Sequence, residues 1–316
     1  MYLHYRNFTI AMKTKNLSLI FIIAAAVGWG CIGLATRPLG NAGLSSLQIT
    51  IVRLIFTTLI MSLYLVVRNR KLFIIKLKDL PLFVLAGINF FCLLFFYISA
   101  IKENNSSSVA AMLLYTSPIW LTILSRIIFK EKITWVRIVA LLGTMCGCCL
   151  LMLTQPLSVS LLGVVFGLLS GVSQALYSVF GKKLTSRNAA ETNTFYTFLF
   201  ATLCSLIFIS PIEIGTFVKD NLSLSITAFS FLVVLMTVVP YTLYIAGLKN
   251  ISVGVAGIIC ILEPIVASVL GFIVFSDPVN IWSILGIVIV IASLVFIELE
   301  EKILRKFEGV KNNERL

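Results

Sequence analysis

Two prolines in the middle of long apolar segments mark the residues best placed for chemistry in this sequence. Glu263 directly precedes Pro264 inside an apolar run of membrane length, and Ser117-Pro118 is the matching dipeptide in an earlier run. A carboxylate is costly to bury among apolar residues, and a proline removes a backbone hydrogen bond from a helix. We therefore expect substrate-binding groups at Glu263 and Ser117, and helix breaks at Pro118 and Pro264 that have a gating role, a static role as kinks needed for packing, or both.

Glu263 and Arg53 are the ionisable side chains that we expect to face a ligand. Glu263 could bind a substrate ammonium group or take up a coupling proton, because burial away from water favours the neutral form of a carboxyl group. Arg53 could receive a substrate carboxylate through its planar set of N–H donors. Structural roles stay open beside these. The two side chains could pair with each other, Glu263 could bond to backbone freed by the proline, or Arg53 could extend to the membrane surface.

Aromatic side chains inside the apolar runs form a third group of candidates. Trp29, Tyr115 and Tyr177 offer ring faces that could stack on a cationic or planar solute. Trp29 and Tyr177 lie in the middle of the first and sixth predicted spans, which an internal repeat makes equivalent. The alternative for each ring is packing, or placement at the membrane interface.

The composition is that of a membrane protein. Of 316 residues, 59% are hydrophobic and only 12% are charged, whereas about a quarter of the residues in a soluble globular protein are charged. Lys and Arg outnumber Asp and Glu by 25 to 13. The basic residues lie in short loops between apolar runs, so they indicate topology and not a nucleic-acid partner. All seven cysteines lie inside apolar runs and the single histidine is His4, so we expect no metal site and no cofactor.

Ten apolar runs have the length of about 20 residues that a helical crossing of the bilayer needs. The predicted spans cover residues 17–36, 47–67, 80–101, 108–129, 134–153, 161–184, 192–212, 225–247, 253–275 and 280–299. With the tails 1–16 and 300–316 inside the cell, the excess of Lys and Arg falls in the cytoplasmic loops. The sequence thus predicts an all-α, multi-pass protein of the cell (plasma or inner) membrane with both termini cytoplasmic.

The sequence matches itself at an offset of 146 residues. Identical pairs at this offset include Ala100/Ala246, Asn104/Asn250, Ser106/Ser252, Ala110/Ala256, Pro118/Pro264 and Phe129/Phe275, and the acids Glu131 and Asp277 also align. We infer two repeats, 17–153 and 161–299, with five spans each. An odd number of crossings places the second repeat upside down relative to the first, which is the inverted-repeat architecture of secondary transporters.

Several motifs resemble those of one transporter family. They are Ala26-Val27-Gly28-Trp29-Gly30 in the first span, Arg53 in the second, Ala110 through Pro118 to Lys132 across the fourth, and Val255 through Glu263-Pro264 to Asp277 across the ninth. In order and spacing they are similar to the EamA-type members of the drug/metabolite transporter superfamily. Asp277 and Pro278 depart from that pattern, which has Glu followed by Lys. The resemblance implies two EamA bundles, a central cavity, and transport of small polar or aromatic metabolites.

The function that we expect is secondary-active transport of a small organic metabolite by alternating access, with export of an amino acid or related compound as the favoured case. Import of a cationic amine or vitamin-like solute is the alternative. A membrane scaffold or enzyme is a third class, and the chain has no HExxH, GxSxG or Walker A motif. The expected partners are the substrate and the lipid bilayer. Coupling to protons and the choice between monomer and homodimer stay open.

Overall fold

The computed structural model describes the backbone of residues 2–104, 107–152, 160–300 and 302–304. Side chains are described for residues 14–103, 109–151, 160–300 and 302–304. The predicted C-terminal tail 300–316 therefore lies almost entirely outside the described residues. The backbone of the predicted N-terminal tail 1–16 continues the first helix from residue 2 onward.

Helices form every regular element among the described residues, and no strand occurs there, which confirms the all-α prediction. The first half contains α1 (Tyr2–Gly30), α2 (Ile32–Asn41), α3 (Ser46–Arg68), α4 (Leu80–Asn104), α5 (Ser107–Leu114), α6 (Ser117–Ile128) and α7 (Trp135–Met152). The second half contains α8 (Leu161–Thr185), α9 (Ala190–Ser205), α10 (Pro211–Asp220), α11 (Leu222–Ser230), α12 (Val239–Gly247), α13 (Val253–Ile259), α14 (Leu262–Phe275) and α15 (Ile281–Glu298). Short 3-10 turns cover Arg70–Phe73, Leu77–Asp79 and Leu206–Phe208, and a π-helical segment, Phe231–Val238, joins α11 to α12.

Eight helical segments in the described part of the chain are long and apolar enough to cross a membrane. A ninth arises if Ala190–Phe208 and Pro211–Asp220, which meet at an angle of 99°, form one crossing. The predicted span 192–212 is therefore not one straight helix, because Pro211 has no N–H to continue the ladder and begins a new helix. The apolar helix Trp135–Leu151 is shorter than a typical crossing. Ten crossings stay a prediction.

Polar side chains mark where several of the apolar helices begin. Ser45 accepts a hydrogen bond from the backbone of Gln48, whose side chain accepts one from the Ser45 backbone in return. Ser252 caps α13 and Asn280 caps α15 through their side-chain oxygens. Each cap satisfies an N–H group that has no partner within its own helix. These caps place the helix starts at the ends of the apolar runs.

Both prolines that the sequence singles out lie at breaks in helices. The break between α5 and α6 falls at residues 115–116, two residues before Pro118, and the break between α13 and α14 falls at residues 260–261, three residues before Pro264. A proline ring clashes with the carbonyl four residues earlier and donates no N–H, so the helix is interrupted one turn before it. One turn after each proline a hydroxyl bonds to the proline carbonyl, from Thr122 over 2.7 Å and from Ser268 over 2.8 Å. The two breaks therefore share a following proline and a hydroxyl group that bonds to the proline carbonyl.

The helices that follow the breaks also end alike. Lys130 and Ser276, which lie 146 residues apart, both adopt the left-handed conformation, with φ of 55° and 56°. The N–H group of the next residue then bonds to the carbonyl six residues before it, over 3.3 Å from Glu131 and over 3.1 Å from Asp277. A residue in the left-handed conformation is a common way for a helix to end. Residues that match at the 146-residue offset in the sequence therefore also share their backbone conformation at these two helix ends.

Helices of the two halves pack together in reciprocal pairs. α4 lies along α8 and α1 lies along α12, while α1 also contacts α14 and α6 contacts α8. Under the repeat offset α1 corresponds to α8, α4 to the α11–α12 segment and α6 to α14, so each pair has a counterpart. α7 and α15 approach closely because two glycines meet: a Cβ atom on Gly147 would lie 2.7 Å from the carbonyl oxygen of Gly286. The halves share one interior.

Candidate functional site

A cavity of about 1060 Å³ lies between the two halves. Side chains from α1 to α4 of the first half and from α8, α14 and α15 of the second half line it, together with residues at both helix breaks. Seven of the eight residues selected from the sequence line this cavity, namely Trp29, Arg53, Tyr115, Ser117, Pro118, Glu263 and Pro264. The fold thus brings residues from distant parts of the chain around one space, with a volume that suits a small organic molecule.

Glu263 supplies the carboxylate of the cavity. It lies in the first turn of α14, directly after the break, and it is half-buried. The hydroxyl group of Tyr115, at the break between α5 and α6, is its hydrogen-bond partner. The two broken helices therefore meet at this contact. A phenol donor holds the carboxylate in place and leaves it further lone pairs for a ligand.

Arg53 supplies the cation of the cavity. It is buried, with 9% of its surface exposed, and its Nε atom donates a hydrogen bond to Oγ1 of Thr237 over 2.7 Å. Its Cζ atom lies 5.8 Å from the ring centroid of Tyr241. The NH2 nitrogen is buried and has no hydrogen-bond partner among the described residues. Arg53 and Glu263 do not form an ion pair within 4 Å, so each charge is free to meet a ligand.

Trp29 is a second buried donor without a partner. The residue is 4% exposed, and its indole Nε1–H group makes no hydrogen bond within the part of the chain that the structure describes. The ring packs against Tyr241 and Tyr244, with centroid distances of 4.9 and 5.1 Å. Tyr241 therefore contacts both Trp29 and the guanidinium of Arg53. Because an indole N–H and a guanidinium can only donate, a group that accepts hydrogen bonds would complement both.

Tyr177 is the selected residue that does not line the cavity. It packs behind the wall, with its ring centroid 5.7 Å from that of Tyr241 and 5.2 Å from that of Phe90. It is 2% exposed. The reason is the contact between α4 and α8, which turns this face of α8 toward Phe90 and into the aromatic core. In this conformation Tyr177 supports the cavity wall from behind.

Some polar residues of the cavity were not selected from the sequence. Thr50, Gln174 and Ser268 line it. Thr50 lies three residues before Arg53 and so on the same face of α3, which is a signal that helical spacing provides. Gln174 is an amide inside an apolar helix, where polar groups are costly and often functional. In the described ranges no cluster of three or more His, Cys, Asp or Glu side chains could hold a metal ion.

One end of the cavity carries an exposed ion pair. Arg37 and Asp277 both line the cavity, and the shortest distance between the guanidinium and the carboxylate is 2.8 Å. Their side chains are 47% and 42% exposed. The guanidinium also lies over the ring of Phe275, 4.6 Å from its centroid. We call this the Arg37 end, and here the cavity reaches exposed side chains.

The opposite end is closed by buried polar contacts. Glu131, which is 15% exposed, accepts the backbone N–H of Val253 over 3.1 Å and lies 3.7 Å from the guanidinium of Arg137. Arg137 in turn pairs with Glu300 over 3.0 Å. The ammonium of Lys182 donates to the carbonyl of Ile251 over 2.7 Å. None of these residues lines the 1060 Å³ cavity, and we call this the Glu131 end.

Comparison with known proteins places the chain in a family. The model of the EamA-like transporter family matches it twice, over residues 16–153 and 161–299. The chain belongs to the EamA-like transporter family. Its apolar helices accord with this, and the protein is a multi-pass membrane protein. The match confirms the resemblance that the sequence motifs indicated.

Relatives of this EamA-family protein are transporters by name. An uncharacterized transporter of Archaeoglobus fulgidus is 28% identical, over 87% of this chain and 93% of its own length. The uncharacterized inner membrane transporter YicL of Salmonella typhimurium is 24% identical, over 92% of this chain and 98% of its own. A solved crystal structure matches the fold with a TM-score of 0.75 at 15% identity, covering 91% of this chain and 98% of that chain. That likeness concerns the fold alone.

Proposed function

We propose that this EamA-family protein is a secondary-active transporter that exports an amino acid or a closely related metabolite by alternating access. The observation that carries the proposal is the pair of opposite charges in one cavity, Arg53 and Glu263, which are not paired with each other. A zwitterion supplies both missing partners. Its carboxylate suits the donors of Arg53, and its ammonium suits the carboxylate of Glu263.

Aromatic walls favour an organic side chain between these charges. Trp29, Tyr97, Tyr115 and Tyr241 line the cavity. Their ring faces offer apolar contact, and their N–H and O–H groups offer orientation. A cationic amine, as in the import alternative, would leave Arg53 with an uncompensated positive charge nearby. The buried guanidinium is the reason to prefer a substrate with an anionic group.

Ten crossings in two inverted repeats are the architecture that we propose for this mechanism. The shared helix breaks, the left-handed residues Lys130 and Ser276 and the reciprocal helix pairs support it. Counting the bent pair and the short helix Trp135–Leu151 as crossings would bring the eight apolar segments to ten. Two inverted halves could exchange a cavity open at one end for one open at the other.

The distribution of charge supports an orientation for the molecule. Lys and Arg concentrate in the loops that a cytoplasmic N-terminus would place inside the cell. Both termini would then be cytoplasmic, the Arg37 end external and the Glu131 end internal. The relative named as an inner membrane transporter supports placement in the cell membrane. Outward transport is the direction that we propose.

Transport by the purified chain in proteoliposomes tests this proposal. Common amino acids would be assayed beside the amine and the carboxylic acid that share each side chain, with empty liposomes as the control. We expect accumulation of at least one amino acid above both of its analogues. Arg53→Gln should lower the preference for the amino acid over its amine analogue. Glu263→Gln should lower the preference for the amino acid over its carboxylic acid analogue. Movement of amines alone would favour the import alternative, and movement of none of these compounds would overturn the substrate class.

A further inference from the structure

A rare backbone conformation lies beside Arg53. The segment Phe231–Val238 is π-helical, with hydrogen bonds that reach one residue further than in an α-helix. Pro240 follows it and cannot donate to the carbonyl that an α-helical ladder would place four residues before it. Pro240 also packs tightly on α1, because a Cβ atom on Gly28 would overlap its ring. π-helical turns of this kind occur often at functional sites.

Thr237 is the residue that this segment aims at Arg53. Its side chain is fully buried. Its hydroxyl donates to the carbonyl of Leu232, five residues earlier, over 2.6 Å. With its only proton used in this way, the hydroxyl meets Arg53 as an acceptor, and Nε of the guanidinium donates to it over 2.7 Å. In this hydrogen bond Arg53 is therefore always the donor and Thr237 the acceptor, and the bond holds the Nε edge of the guanidinium.

Tyr241 holds the guanidinium from another side. It lies one helical turn after Thr237, and its ring centroid is 5.8 Å from Cζ of Arg53. One segment of the chain thus contacts the guanidinium through both Thr237 and Tyr241. The NH2 nitrogen of Arg53 is left without a partner, as is the indole nitrogen of Trp29, which packs on the same Tyr241 ring. The result is a pair of buried donors around one aromatic side chain.

We propose that Thr237 is a positioning residue that orients Arg53 to receive the carboxylate of the substrate. The proposal rests on the proposed function, in which Arg53 binds that carboxylate. By holding Nε, Thr237 restricts the rotation of the guanidinium, so that NH2 is presented to the ligand without further loss of side-chain entropy. The first half has Phe91 at the position matching Thr237, which cannot accept such a bond. The π-helical segment of the second half thus positions Arg53, which lies in the first half.

Three variants separate positioning from packing. Thr237→Val removes the hydroxyl and keeps the shape, whereas Thr237→Ser keeps the hydroxyl. Thr57→Val is the matched control, because Thr57 is also fully buried, lies one turn after Arg53 on α3, and has a hydroxyl without a partner. Each variant would be made in the full chain.

The first readout needs no substrate. In protein labelled with ¹⁵N-arginine, the Nε–H signal of Arg53, assigned through Arg53→Lys, should exchange slowly with solvent. We expect Thr237→Val to lose this protection, while Thr237→Ser and Thr57→Val keep it. Unchanged protection in Thr237→Val would overturn the positioning role, whatever the substrate proves to be.

The second readout is ligand selectivity. Thermal stabilisation by the common amino acids and by their decarboxylated amines would give apparent affinities for wild type and variants. Thr237→Val should weaken the best-bound amino acid about tenfold and leave its amine unchanged, with rescue by Thr237→Ser. Equal weakening of acid and amine would overturn the proposal, because it indicates a packing defect. If wild type binds no amino acid at all, the proposed function fails, and the exchange measurement still decides whether Thr237 positions Arg53.

Discussion

The two broken helices have the same backbone design and opposite surroundings. Each has a proline after the break, a hydroxyl bonded to the proline carbonyl, and a left-handed residue followed by an acid. The acid of the first copy, Glu131, is buried among partners from both halves. The acid of the second copy, Asp277, is exposed and pairs with Arg37 at the cavity opening. The first copy of the motif lies at the closed end of the molecule, and the second copy lies at the open end.

Under the proposed alternating-access mechanism, this difference means that the structure represents one of two states. If the halves are inverted repeats, both ends have the same backbone design, so the design does not explain why one end is open and the other closed. In the proposed mechanism the conformation decides which end is open, and the contacts of Glu131 would have to loosen for the cavity to open at that end. The comparison also separates two tasks. The backbone repeats in both halves, whereas the chemistry is unequal, since Glu263 in one half stands where the other has Ser117.

The largest expected difference lies in how much Glu131 and Asp277 each contribute to the free energy of unfolding. Glu131→Gln removes a buried carboxylate that lies 3.7 Å from the guanidinium of Arg137, and breaking a buried ion pair costs about 3 kcal/mol. Asp277→Asn breaks an exposed pair, whose contribution is about 0–1 kcal/mol. Equilibrium unfolding of the purified protein in mixed micelles measures both. Equal losses of free energy would contradict the proposal that the Glu131 end is the closed one.

A smaller effect distinguishes the residues before the two prolines. Glu263→Gln removes the charge proposed to meet the substrate ammonium, at a cost of about 2 kcal/mol, or roughly thirtyfold in affinity. Ser117→Ala, at the matching place, should change affinity by less than about threefold. Titration of the purified protein with the best-bound amino acid checks this. Similar losses in both variants would mean that the two halves contribute equally to recognition.

The smallest effect should be the same in both copies. Lys130→Gly and Ser276→Gly replace residues held at positive φ, where a side chain is strained and glycine is not. We expect each change to stabilise the protein by about 0.5–1 kcal/mol. Unfolding in mixed micelles again provides the measurement. A gain in one copy only would show that the two helix ends differ in more than charge.

The fold class and much of the site could be predicted from the sequence because their signals are local. A charge or a proline inside an apolar run is visible without a structure, and Glu263, Pro118 and Pro264 were found in this way. The break at Pro211 has the same kind of signal and was missed inside the predicted span 192–212. The bend of 99° at this place follows from the proline.

Features that depend on packing could not be predicted. Arg37 and Asp277 are 240 residues apart and meet only through the tertiary fold. Tyr177 lies in the middle of an apolar helix like Trp29, and only the contact of α8 with α4 turns it away from the cavity. The contact between Thr237 and Arg53 depends on a π-helical register, which has no simple sequence pattern. In each case the missing information is which face of a helix meets which neighbour.

The accessibility of two matched positions tests most directly whether the cavity is a one-ended path that can change ends. Ser268 lines the cavity, and Thr122, which is 146 residues earlier, does not. In a cysteine-free background, Ser268→Cys and Thr122→Cys would be exposed in intact cells to a membrane-impermeant thiol reagent. In intact cells we predict rapid labelling of Ser268→Cys and no labelling of Thr122→Cys. In inverted vesicles, which expose the cytoplasmic face, we predict that Thr122→Cys reacts once a transported amino acid is added. Equal labelling of both positions from the same face would contradict the account.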